Sequence, residues 1–222
     1  MLFRSASIED VETSRRHHLA AVIRLFEETD VFVFTLGLTE AWISTKDGAV
    51  FPVAPGVSGG TYDPSDCKLV NLSYVEAVKD MRMFFARMRQ INGRMKFLLT
   101  VSPVPLMATA TQNQVIVATT YSKSVLRAVA GHLADTLHYV DYFPSFEIIS
   151  SHVMSGQFYQ PDKRGVAQYG VDHVMKQFFK EHVPLGPGAG KKPQPRYLDE
   201  TDDGDVQCDE ELLAAFGESH SA

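Results

Sequence analysis

Chemistry near neutral pH needs a nucleophile or a base, and this sequence offers few side chains placed to be either. A general base is most simply an imidazole oriented by a carboxylate. The chain has eight histidines. His17 and His18 fall inside an expected helix, His132 on another, His138 just before an expected strand, and His220 in an acidic tail. His173 lies about 200° from the apolar stripe of the last expected helix, so it is read as facing solvent. His152, in the loop beyond the last expected strand, is taken as the candidate base, with Asp141, Glu147 and Asp162 as its nearest acids in sequence. Ser102 ends an expected buried strand, but Pro103-Val104-Pro105 supplies neither a helix N-terminus nor a glycine elbow to expose its hydroxyl. Lys123, between Ser122 and Ser124, either binds an anionic substrate or is an ordinary surface lysine of a helix. Trp42, the only tryptophan, reads as core or pocket wall ahead of a stacking platform. Cys67 and Cys208 show no CxxC or Cys/His ligand spacing, so they are read as free thiols. No metal or organic cofactor is implied.

The elements that must position these groups alternate along the chain. Ser7, with Asp10 three residues on, caps a helix over about residues 8–28, in which Leu19, Val22, Ile23 and Phe26 repeat at helical spacing. Val31–Leu36, continuously apolar and stopped at Gly37, predicts a strand buried on both faces of a parallel sheet. Residues 42–44 and 50–53 flank a Lys46-Asp47-Gly48 turn and predict a small hairpin. The stretch from Pro55 to Asn71 reads as loop. A second helix starts after Ser73, supported by Glu76, and stops at Asn92-Gly93. Met95–Val101 is a second buried strand, closed by Pro103 and Pro105. Residues 113–136 read as mostly helical, 138–142 as strand, 144–150 as a short helix or turn, and 170–181 as an amphipathic helix. Buried strands alternating with helices predict a three-layer α/β/α sandwich around a parallel sheet. Ligands of such sheets collect at the carboxyl ends of the strands.

Composition narrows the function classes. The 222 residues suffice for one α/β domain over 1–183, followed by a Gly/Pro linker and an acidic tail over 184–222, with one short helix expected at Asp209–Phe216. The net charge of −6 is unevenly spread: residues 1–198 hold 21 Lys/Arg against 18 Asp/Glu, while residues 199–222 hold nine acids and no Lys or Arg. The body is nearly neutral and carries no basic stripe interleaved with aromatics, which speaks against nucleic acid. No apolar run approaches the ~20 residues that span a bilayer, and no signal-peptide core follows Met1, so a cytoplasmic protein without a membrane partner is expected.

Four segments taken in order carry a resemblance: Thr35 to Trp42, Leu99 to Pro105, Tyr121 to Arg127, and Tyr142 to Glu147. Together they resemble the GSCFA family over roughly residues 31–179. That family is similar to SGNH/GDSL hydrolases, which implies a flavodoxin-like fold and serine attack on an ester, small-molecule or carbohydrate. The resemblance places Gly37, Thr39 and Glu40 at the oxyanion-binding block, with Thr39 where relatives carry asparagine; read from the residues alone, Gly37 only lets the strand turn sharply. It also places the base after the last strand, which points to His152. Asp162 stands where relatives begin Asp-x-x-His, but Gly165 replaces that histidine, so Asp162 either orients His152 or serves as a turn residue. The Gly-Ser-Cys-Phe-Ala block that would bring the nucleophile is not in this sequence. The expectation is therefore a fragment lacking its first strand and inactive by itself, or a non-catalytic ligand- or partner-binding domain.

Overall fold

A computed structural model describes residues 7–57 and 62–182; the linker, the acidic tail, Cys208 and His220 lie outside those residues. The elements run α1 (Ile8–Glu28), β1 (Val31–Leu36), β2 (Glu40–Ser44), β3 (Val50–Phe51), β4 (Cys67–Asn71), α2 (Tyr74–Ile91), β5 (Lys96–Val101), α3 (Val115–Thr136), β6 (Val140–Tyr142), α4 (Ser145–Ser150) and α5 (Gln168–Glu181). A 3-10 turn, His152–Met154, separates the last two helices. The protein is α/β: β1, β5 and β6 form a parallel sheet in the order β1-β5-β6, flanked by helices.

Local signals set the helix boundaries. Ser7 Oγ accepts the Asp10 N–H at 3.1 Å and starts α1. Ser73 and Glu76 form a complete capping box on α2, which satisfies two helix-end donors at once. Asn92 does more than stop α2. It is 6% exposed, and its Nδ2 donates to the carbonyls of Phe26 and Thr29, tying the end of α2 to the end of α1.

Strand alternation then builds the core. Phe32, Phe34 and Leu36 stand in register with Phe97, Leu99 and Val101, on the side packed by α2 and α3. Phe97 lies against Phe85 with ring centroids 4.3 Å apart, above Val129 and Leu133. On the opposite side Leu98 and Thr100 are also buried, and α4 covers β5 there through Ser145, which hydrogen-bonds Thr100.

Two expectations fail here. β1 is not buried on both faces: Val31 and Val33 are 53% and 52% exposed, and Thr35 is exposed too. The helices that sandwich β5 leave β1 open on one side, and among the described residues β5 is its one strand partner. The Pro55–Asn71 stretch is not all loop either, because Cys67–Asn71 forms β4 and pairs antiparallel with β2, Ser44 facing Cys67 and Glu40 facing Asn71. The expected hairpin is present as β2 and β3, so a second, antiparallel sheet of order β3-β2-β4 sits beside the first.

Candidate functional site

The site is built from the segments at the carboxyl ends of the parallel strands. After β1, Gly37 presents its carbonyl to Lys123 Nζ at 2.9 Å. A Cβ placed on Gly37 would meet no atom within 4 Å, and its backbone is outside the left-handed region. Thr39 is 1% exposed. Its N–H donates to Ser122 Oγ at 2.8 Å, its hydroxyl donates to Asn71 Oδ1 at 2.6 Å, and its carbonyl accepts the Leu72 N–H. Thr39, Ser122 and Lys123 thus form a buried polar seam that half-buried Gly37 and exposed Asn71 tie to the first parallel strand and the small sheet. Lys123 is 4% exposed, so it is not the surface lysine that its helical setting allowed. Helical periodicity gave no sign that a carbonyl 86 positions away would receive it.

Glu40, next along, holds the loop after β5. Its Oε1 accepts from Thr109 Oγ1 at 2.6 Å, and its Oε2 accepts the Ala110 N–H. Trp42 sits on β2 opposite Phe51 and Leu69, with its ring edge-on to Tyr62 at 5.7 Å. Ser102 closes β5: its N–H donates to the Leu36 carbonyl, and its Oγ accepts the Val104 N–H at 3.2 Å. Beyond β6, His152 is exposed at the start of the 3-10 turn. Asp162 is also exposed, and its Oδ1 accepts the N–H groups of Arg164 and Gly165, which closes a local turn. No hydrogen bond or ion pair joins Asp162 to His152 among the described residues.

The family model for GSCFA matches residues 1–178. The chain belongs to the GSCFA family. A search of the curated proteins found no match. The match extends from the segments that carried the resemblance to the whole of α1.

In this GSCFA protein the acids near His152 in sequence are occupied elsewhere. Asp141 accepts its neighbour's N–H, from Tyr142, at 2.7 Å. Glu147 accepts from Arg127 Nε with one oxygen and from the Tyr142 hydroxyl, at 2.7 Å, with the other. The Arg127 guanidinium lies 4.2 Å from the centre of the Tyr142 ring. This clamp joins α3, β6 and α4. Sequence periodicity gave no sign of it, because Arg127 and Glu147 are 20 positions apart.

Burial, the hydrogen bond to Glu147 and the charge of Glu147 together hold the Tyr142 phenol well above its ordinary range, against the opposing pull of Arg127. The folded phenol therefore binds its proton more tightly than the unfolded one. The stabilisation is complete below pH of about 10 and is lost as pH rises past it. Tyr142→Phe is expected to flatten the fall in melting temperature above that pH. A fall parallel to that of the parent would contradict the assignment.

A cleft of about 570 Å³ opens beside β6, lined among others by Asp141, Phe143, Met154, His173, Gln177 and His182. His173 does not simply face solvent: Phe158 reaches that side of α5, and the two rings stack with centroids 5.1 Å apart. His182, not singled out from the sequence, stacks on Phe178. Its Nδ1 lies 3.0 Å from the Phe178 carbonyl. A carbonyl only accepts, so in the neutral ring Nδ1 carries the proton and Nε2 is left as acceptor. Among the described residues no group of three or more His, Cys, Asp or Glu could hold a metal ion, and no helix is long and apolar enough to cross a membrane.

Proposed function

We propose that this chain is the supporting wall of an acyl-transfer pocket, the body of an SGNH-type serine esterase, acyl hydrolase or acyltransferase with a flavodoxin-like sandwich. One observation carries the reading. Gly37 stands at the carboxyl end of a parallel strand, where ligands of α/β folds collect, and among the described residues nothing packs against a Cβ placed there. The open space over it supports close approach of an outside group to the backbone. Family membership adds the expectation of ester chemistry, an argument from analogy that fixes no substrate beyond a small-molecule or carbohydrate ester. On this reading Gly37, Thr39, Glu40 and Trp42 shape the wall, Lys123 holds the Gly37 carbonyl, and His152, with Asp162, belongs to the base side. The attacking hydroxyl is not expected from the described residues on this reading, which draws support from the lack of any hydroxyl–imidazole hydrogen bond among them. The chain by itself is therefore expected to hydrolyse 4-nitrophenyl acetate no faster than buffer, with Ser102→Ala and His152→Ala unchanged from the parent. Robust turnover that disappears in both variants would overturn the proposal.

A second reading, a non-catalytic domain that binds a ligand or partner through Trp42 and the loop at 103–105, draws on a different observation. Thr39 spends both its N–H and its hydroxyl inside the seam, which leaves neither to hold a developing oxyanion. Ester binding that survives in Gly37→Ala but is lost in Trp42→Ala would favour this second reading.

A further inference from the structure

α1 is 21 residues long and buries none of them, although four of its apolar residues, Ile8, Leu19, Ile23 and Phe26, are aligned. At about 100° per residue, Ile8, Glu12, Arg15, Leu19, Ile23 and Phe26 fall along one stripe. The stripe is seated at its far end, where Phe26 packs on Phe32 with ring centroids 5.8 Å apart. Its first part stands open among the described residues, with Ile8 81%, Leu19 46% and Ile23 56% exposed.

Over that open part the order along the stripe is apolar, acid, base, apolar: Ile8, Glu12, Arg15, Leu19. Read backwards, the order is the same with the charges exchanged. A second helix of the same sequence laid antiparallel therefore sets Ile8 against Leu19 and Glu12 against Arg15, twice about a two-fold axis, as an isologous interface demands. A parallel arrangement would instead put Glu12 beside Glu12 and Arg15 beside Arg15. The flanking charges follow the same polarity, with Glu9 and Asp10 towards one end and Arg16 towards the other. We infer that α1 is a homodimerisation helix, and that the occupant of its open stripe is α1 of a second copy of this chain, antiparallel.

The open stretch, Ile8 to Leu19, is about 18 Å long, so the contact is a small one. Dissociation in roughly the ten-micromolar range is expected for an interface at the low end of the size scale. Analytical ultracentrifugation of the full chain tests this, in a Val33→Lys background whose charge disfavours strand addition at the open β1 side. The expected result is a reversible monomer–dimer equilibrium. Glu12→Arg and Arg15→Glu should each weaken it about tenfold or more, because each puts like charges opposite one another. The double variant E12R/R15E should return it to within about threefold of the parent, since the exchanged charges pair again. Unchanged far-UV circular dichroism separates a lost contact from a lost helix. A chain that stays monomeric at several hundred micromolar, single variants that associate like the parent, or a double variant that stays weak would each overturn the inference.

Discussion

Truncating Phe97 to alanine is expected to cost about 3–5 kcal/mol of folding stability, a large share of the roughly 5–15 kcal/mol reserve of an ordinary domain. Phe97 is 1% exposed at the centre of β5, in register with Phe32 on one side and Val140 on the other. Its ring touches those of Phe32, Phe84, Phe85 and Tyr139, so one truncation opens a void at the junction of α2, β5 and β6. The open side of β1 leaves few other contacts to absorb the loss. Urea denaturation followed by circular dichroism measures it. A midpoint near that of the parent would mean that the aromatic cluster is not the keystone of the sheet. Phe97→Leu, which keeps most of the volume, should recover a large part of the stability.

The second effect lies in the polar seam. Thr39→Val keeps the shape of the side chain and removes the hydroxyl that Asn71 Oδ1 accepts. It also places a methyl group beside Ser122 Oγ, 3.2 Å from the present hydroxyl oxygen. Ser122 Oγ keeps the backbone N–H of residue 39 and exposed Asn71 can turn to water, so the loss is that of the hydroxyl's own hydrogen bonds, about 0.5–1.5 kcal/mol. Thr39→Ser, which retains the hydroxyl, should cost clearly less. The same unfolding assay distinguishes the two, and equal losses for valine and serine would show that the hydroxyl holds nothing together. The pair also bears on function: a stability cost confined to valine identifies Thr39 as a residue that positions the Gly37 turn from within.

How much of the fold was legible in the sequence depended on how local each cause is. The caps at Ser7 and Ser73 were legible, because their partners Asp10 and Glu76 are three residues away. Phe97 and Leu99 were read as buried and are. Val31 and Val33 were read the same way and are half exposed, since an apolar run records what a strand prefers and not whether a neighbour covers it. β4 escaped because Cys67–Asn71 lies at the end of a Gly/Pro-rich stretch and is interrupted by Lys68; its strand character comes from pairing with β2.

Three of the four segments that carried the family resemblance lie at the carboxyl ends of the parallel strands, and the other, Tyr121 to Arg127, lies within α3. Which groups meet at the strand ends was not legible. The burial of Lys123 depends on a carbonyl at the far end of β1, and the engagement of Thr39 depends on Asn71 and Ser122 from two other elements. His173 was assigned to solvent from the periodicity of α5 alone, which knows nothing of Phe158.

The proposed pocket depends on the open space at Gly37 being the wall of an ester site. Amide-resolved NMR of the chain titrated with phenyl acetate tests this most directly, with Gly37→Ala as the matched control. That variant should fold at least as well as the parent, gaining about 0.4–1 kcal/mol, because the backbone there suits alanine. Saturable shifts are expected at residues 37–40 and 102–107 in the parent, with little or none in Gly37→Ala and no consumption of the ester in either. Shifts that persist unchanged in Gly37→Ala, or an ester signal that disappears at a rate set by one serine of this chain, would contradict the pocket.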